Sequence, residues 1–268
     1  MRINRKQLKR RMLDAIHDGK TNIVWIALAF LALTLILQVL SMSVSGELAA
    51  LGTMMEEMLA TGTATIPAVE SPAGSAILVL AIDIMLIMLN VGFSVACLST
   101  ARRQGASLGN LFDGFSRFLR AICVNLLQSL VLTAWMMVYA VPVSFIVTVG
   151  GDTGLFAFAP LTCLPLLIPA VRAFYNYRQA VFLMLDHPEL SAFGCLRVSR
   201  ELMNGHKWEL FKLDLSFLGW TLLELIPLVS IWVVPYTQVC YAGYYDILVK
   251  QYRSHMETAV PPETPDGE

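Results

Sequence analysis

Several long apolar runs, each bounded by charged or glycine-rich sequence, constrain this chain more than any other feature. A bilayer core of roughly 30 Å needs about 20 predominantly apolar residues per spanning helix, and this chain supplies such runs repeatedly. With 56% hydrophobic and only 15% charged residues among 268, and a mean hydropathy of +0.64, it is too apolar for one soluble domain. The expectation is an all-α, polytopic membrane helix bundle.

The first span is placed at 23–44 and the second at 76–98, after the Pro72-Ala73-Gly74-Ser75 break. The third runs over 119–141 with apolar sequence continuing to Val149, and Gly150-Gly151-Asp152-Thr153-Gly154 makes a turn. The fourth begins near Leu155 and passes Pro165 and Pro169 toward Asp186, which predicts a kinked, overlong helix. Residues 210–227 and 229–249 make the fifth and sixth spans. Residues 1–250 thus form a single six-span domain, with an outer loop at 45–75 and a flexible cytoplasmic tail at 251–268. The apolar run at 23–44 exceeds a secretory h-region of about 7 to 15 residues, so it reads as an uncleaved span.

Orientation follows from Lys and Arg, which short cytoplasmic loops retain. All 19 basic residues fall before span one, between spans two and three, between four and five, after six, or on the inner part of span four. The first outer loop instead carries Glu47, Glu56, Glu57 and Glu70. Both termini are therefore expected in the cytoplasm, with the inner face against anionic lipid head groups. Arg172, Arg178 and Arg197 are candidate ion-pair or lipid contacts.

Each odd-numbered span follows a basic stretch with helical amphipathic spacing, suited to the inner membrane surface. Leu8, Met12, Ala15 and Ile16 oppose Lys6, Lys9 and Arg10; Asn4 and Gln7 have capping-box spacing, and Gly19 suits the helix end. Leu111, Phe112, Phe115, Phe118 and Leu119 alternate with Asp113, Arg117 and Arg120. Phe193, Leu196, Ser199 and Met203 oppose Arg197, Arg200 and Glu201. Starts of the odd spans lie roughly 90 to 95 residues apart, consistent with three units of surface helix plus hairpin.

Polar residues inside apolar spans mark a candidate site, because a charge in hydrocarbon costs about 2.5 to 3.5 kcal/mol on insertion scales. Asp83 and Asn90 lie two turns apart on nearly one face of span two; Asn125 and Gln128 lie in span three and Glu224 in span five. They support either a proton- or cation-linked path or interhelical hydrogen bonding. The four tyrosines 236, 241, 244 and 245 read as an aromatic packing stripe in span six.

Nucleophile, Rossmann, Walker A and zincin motifs are lacking, and the five scattered cysteines have no paired spacing. No enzyme activity, cofactor, metal or nucleic-acid partner is expected. The leading function is a membrane scaffold or lipid-interacting accessory, and the alternative is a small transporter or channel through Asp83 and Glu224.

From span four onward, Ile168-Pro169, Tyr175-Asn176-Tyr177 and Leu185-Asp186-His187-Pro188 precede a longer motif. It runs Ser199-Arg200-Glu201-Leu202-Met203-Asn204-Gly205-His206-Lys207-Trp208 and is followed by Asp214-Leu215-Ser216-Phe217-Leu218-Gly219-Trp220. In these residues the chain resembles the bacterial integral membrane family called domain of unknown function 975. The resemblance implies a membrane protein and supplies no activity; it departs at Asn204, where a basic residue is more usual, and in a longer first outer loop. Physically, Gly205 ends a surface helix, His206, Lys207 and Trp208 suit the head-group boundary, and Gly219 permits close helix approach.

Overall fold

The computed structural model describes residues 4–18, 23–62, 74–150, 164–224 and 226–259. Among them are eleven α-helices, two short 3-10 segments and no strand. The helices are α1 (Arg5–His17), α2 (Ile23–Ser45), α3 (Glu47–Thr61), α4 (Ser75–Ala101), α5 (Asp113–Ser116) and α6 (Phe118–Gly150). They continue as α7 (Leu167–Tyr177), α8 (Ala180–Asp186), α9 (Ala192–Leu202), α10 (Lys207–Leu223) and α11 (Pro227–Ala259). The architecture is all-α, as the apolar runs require. Three helices are long and apolar enough to cross a membrane: Ile23–Ser45, Ser75–Ala101 and Phe118–Ile146.

These three pack chiefly at one end. Buried residues of α2 are confined to Ile23, Ile26, Ala27 and Phe30, and those of α6 to Ala121 and Val124. Most buried residues of α4 fall between Met88 and Thr100. Because α2 and α6 begin where α4 finishes, all three bury the same end, where the basic residues also gather. Phe30 and Phe93 stack there with ring centroids 4.2 Å apart. One core joins α1, α2, α4, α10 and α11. A second is built from Met88 and Val91 of α4, Ala121 and Val124 of α6, and residues of α8 and α9.

Close backbone approach holds α4 against the following turn. A Cβ on Gly92 would collide with the carbonyl of Leu111, and one on Gly114 with the carbonyl of Met88. Gly219, expected to serve that role in span five, has no atom within 4 Å of where its Cβ would stand. Among the described residues that face of α10 is open, so no neighbour makes its small size matter.

Other expectations change in detail. The 45–75 connection contains the 15-residue helix α3, which has no buried residue. Residues 63–73 and 151–163, including Cys163 and the expected start of span four, lie outside the described residues, as does Gly19. The described part of span four is two helices, with the break at Arg178-Gln179 rather than a kink at a proline. Pro169 falls in the first turn of α7, where a missing N–H removes no intrahelical bond. Helix α10 has 17 residues, about 25 Å at 1.5 Å per residue. Helix α11 is long enough but carries Pro235 and polar side chains through its middle. Residues 251–259 continue α11, and residues 260–268 lie outside the described residues.

The basic stretches before the odd spans are not alike. Helix α1 is capped by Asn4, whose side chain accepts from the Lys6 N–H, and it buries Leu8, Met12 and Ala15 in the protein core. The second stretch is a 3-10 segment, Leu108–Phe112, followed by the single turn α5. Of its expected apolar face only Leu111 is buried, because the Gly92 and Gly114 contacts hold the turn flat on α4. Helix α9 is capped by Ser191 and buries Leu196, Ser199 and Leu202, while Phe193 is 72% exposed.

Candidate functional site

Charges at the basic end divide into those that bind the fold together and those that do not. Arg102, the residue after α4, forms a two-pronged pair with Asp186 at the end of α8, at 2.7 and 2.6 Å. Its Nε donates to Asp246 of α11 at 2.9 Å, and the Tyr245 hydroxyl donates to Asp186 at 3.0 Å. Lys250 adds a 2.9 Å contact to Asp246. The ends of α4 and α8 and the interior of α11 are thereby tied by one planar guanidinium, whose fork matches carboxylate geometry. Burial alone would raise the Asp186 carboxyl, but the hydrogen bonds and charge of Arg102 outweigh it and hold the group below its ordinary value of 3.8. The Arg102 guanidinium is correspondingly pushed up, first by its hydrogen bonds to Asp186.

Two further cations act the same way. Arg120 of α6 donates to the backbone carbonyls of His187, Pro188 and Leu190, at 2.9, 2.6 and 2.5 Å. It closes the turn between α8 and α9. Arg178, expected at the interface as an ion-pair or lipid contact, pairs with Asp214 of α10 at 3.1 Å and lies 4.2 Å from the Tyr241 ring centroid. Tyr175 donates to the same Asp214 oxygen at 2.8 Å. Asp214 is thus the anchor between α7 and α10.

The long motif builds a junction. Ser199 is fully buried and its hydroxyl donates to the Asn176 carbonyl at 2.7 Å, which locks α9 to α7. Gly205 has φ +83°, a conformation other residues adopt only with strain, and it turns the chain into α10. The His206 carbonyl accepts from the Tyr244 hydroxyl at 3.2 Å, and the His206 ring meets Glu209 at 3.1 Å. Trp208 is 62% exposed and stacks on Phe211; Trp220 meets Tyr236 edge-on at 6.4 Å.

This junction leaves a group of cations around open space. Arg172 of α7, Arg200 of α9 and Lys207 of α10 line two adjoining cavities of about 420 and about 320 Å³. Arg197 and Glu201 border the larger one and pair with each other at 3.5 Å. Among the described residues, Arg172, Arg200 and Lys207 have no side-chain hydrogen bond or ion pair. Burial lowers the Lys207 ammonium, and the Arg172 and Arg200 charges push it the same way. The smaller cavity runs up to Trp135 of α6, Pro169 and Ala173.

The residues singled out within the spans are not brought together. Asp83 and Asn90 are exposed on α4, and Asn90 donates to its own helix at Leu86. Asn125 donates to Ala121, also within its helix. Gln128 has a buried carbonyl oxygen without a partner, and Glu224 caps the end of α10. No hydrogen bond or ion pair joins any two of these five. The network around Arg102 was missed in the sequence, although Arg102, Asp186 and Asp246 all stand where an apolar run gives way to charge.

A family model described as "Protein of unknown function (DUF975)" matches residues 1–252. The chain belongs to the DUF975 family. The match reaches well beyond the last hundred residues that carry the motif, and takes in α1 through most of α11. No curated protein and no solved structure matches this DUF975 chain.

Proposed function

We propose that this protein is a non-enzymatic scaffold or lipid-interacting accessory of a bacterial cytoplasmic membrane, with six spans and both termini in the cytoplasm. The spans are residues 23–44, 76–98, 119–141, 210–227 and 229–249 and a segment that begins near residue 155 and continues past the membrane toward Asp186, and the basic end is the inner face. The observation that carries this reading is the gathering of Arg172, Arg200 and Lys207 without carboxylate partners, while Arg102 has two and Arg178 has one. Like charges repel, and a surface that keeps three together is suited to an external anion. At the inner membrane face the abundant anion is the lipid head group.

The lipid contact is electrostatic rather than inserted. Leu8, Met12 and Ala15 of α1 and Leu196, Ser199 and Leu202 of α9 are taken up by the protein core, which leaves the charged faces and the exposed Phe193 for the bilayer surface. A path through Asp83 and Glu224 draws no support from the arrangement of those side chains.

Reconstitution into nanodiscs of mixed zwitterionic and anionic lipid tests the reading. The protein should enrich anionic lipid in its retained shell, and Arg197→Gln with Arg200→Gln should weaken that enrichment. Retention of lipids in proportion to their supply would refute it. Cysteine labelling at position 61 from outside and at 204 from inside checks the orientation, and the reverse pattern sinks it.

A further inference from the structure

The cavity around Arg172, Arg200 and Lys207 is more specific than a basic surface. Its cations come from three different helices, and two local devices hold them in place. The Ser199 hydroxyl on the Asn176 carbonyl sets the backbone of Arg200 beside α7. The left-handed turn at Gly205 returns the chain so that Lys207 lies within electrostatic reach of both arginines. A merely solvated charged face needs neither constraint.

Charge and shape together describe the ligand. Glu201 offsets Arg197, so three cations remain uncompensated. A phosphodiester head group with one negative charge would leave two of them unmatched, whereas a phosphomonoester carries about −1.5 to −2 near neutral pH. Arg172 and Arg200 offer planar forks suited to phosphate oxygens, and Lys207 a point charge. The second cavity then leads away from the cations along Trp135, Pro169 and Ala173, a wall that a small soluble anion would not use. Basic pockets between spanning helices on the cytoplasmic side are known sites for phosphorylated head groups.

We propose that this cavity holds the phosphomonoester head group of a single membrane lipid, its phosphate on Arg172, Arg200 and Lys207 and its chain along Trp135 and Pro169. This rests on the lipid-interacting reading above and narrows it to one site and one head-group class. The same phosphate chemistry also occurs in soluble esters, and the test separates the two sources.

The full-length protein is purified, exchanged into defined mixtures of phosphatidylcholine with phosphatidic acid or phosphatidylglycerol, and its bound lipids are counted by native mass spectrometry. Phosphatidic acid should be retained about tenfold over phosphatidylglycerol. Arg172→Gln with Lys207→Gln should lower its retention about 30-fold, at roughly 1 kcal/mol per cation. Lys6→Gln with Arg10→Gln, on the exposed face of α1, should leave that preference unchanged. Arg172→Lys keeps the charge but loses the fork, so it should fold and lower the retention by less than the double variant does; full retention by this variant would overturn the place of Arg172 in the site even if the double variant does not purify.

Equal retention of the two anionic lipids, or a preference that survives the double variant, would overturn the site and leave the broader lipid reading standing. Indifference of the wild-type protein to any anionic lipid would overturn both. If glycerol 3-phosphate in detergent binds as tightly as phosphatidic acid, the lipid assignment fails and the site belongs to a soluble ester.

Discussion

The two ends of the long helices differ in what surrounds them. At the basic end, α2, α4 and α6 are packed against other helices, with Ala27, Ala96 and Ala121 fully buried, and Arg102 and Arg120 fasten α4 and α6 to their neighbours. At the far end the same helices show Leu35, Ile36, Met137 and Val141 to their surroundings, each more than half exposed. A bilayer makes such exposure harmless, since lipid chains are as apolar as leucine. The comparison teaches that structural specificity is concentrated where the chain meets polar surroundings, and that the far halves need only be apolar and helical.

The largest expected effect follows from breaking the network at the basic end. Arg102→Gln leaves the largely buried Asp186 with no cation and Asp246 with Lys250 alone, and should lower stability by about 3 kcal/mol in thermal unfolding of the detergent-solubilised protein. Asp186 also sets a pH dependence. Its folded pKa is depressed, so its contribution is present above the unfolded value of 3.8 and is lost as pH falls through the lower folded value. The Arg102 variant should show a flatter acid limb in a pH series of melting curves; an unchanged limb would mean that another carboxyl governs it.

Glycine substitutions sharpen the comparison. Gly92→Val drives a side chain into the Leu111 backbone and should destabilise by about 1 to 3 kcal/mol, or prevent folding. Gly219→Ala meets open space and should stay within about 1 kcal/mol of the parent. Comparable losses at the two positions would show that α10 has a close neighbour that the isolated chain lacks.

Smaller effects belong to the far end. Ile36→Ala, at a site 63% exposed, should change stability by about 0.5 kcal/mol or less in the same assay. A loss of 2 kcal/mol or more would mean that protein rather than lipid covers α2 there. Asp83→Asn should be smaller still in stability and abundance, since the carboxyl is exposed and has no partner among the described residues. If it instead abolishes a measurable ion flux with abundance intact, the path through Asp83 returns.

Local patterns carried the helical class, the Asn4 cap and the three long apolar helices α2, α4 and α6, because periodicity and capping depend on near neighbours in the chain. The junction motif was visible for the same reason, since Ser199, Gly205 and Lys207 lie within nine positions. Tertiary meetings were not. Gly92, Gly114 and Gly219 look alike in sequence, and what separates them is a carbonyl from a distant turn. Arg102 reads as one more inner-face cation until Asp186, 84 residues away, and Asp246, 144 residues away, are brought beside it. Arg172 and Arg178 differ by under two turns of chain yet meet opposite fates, because only Arg178 faces Asp214. A count of positive charges orients a chain but does not divide its cations between fold and ligand.

That division is the central claim, and melting temperature with and without phosphatidic acid tests it directly. A ligand that binds the folded protein raises its stability by mass action. Arg200→Gln should melt near the parent without lipid and lose the rise on adding lipid. Arg102→Gln should melt lower without lipid and keep the rise. If Arg200→Gln melts lower and still responds to lipid in full, Arg200 supports the fold and the claim is contradicted.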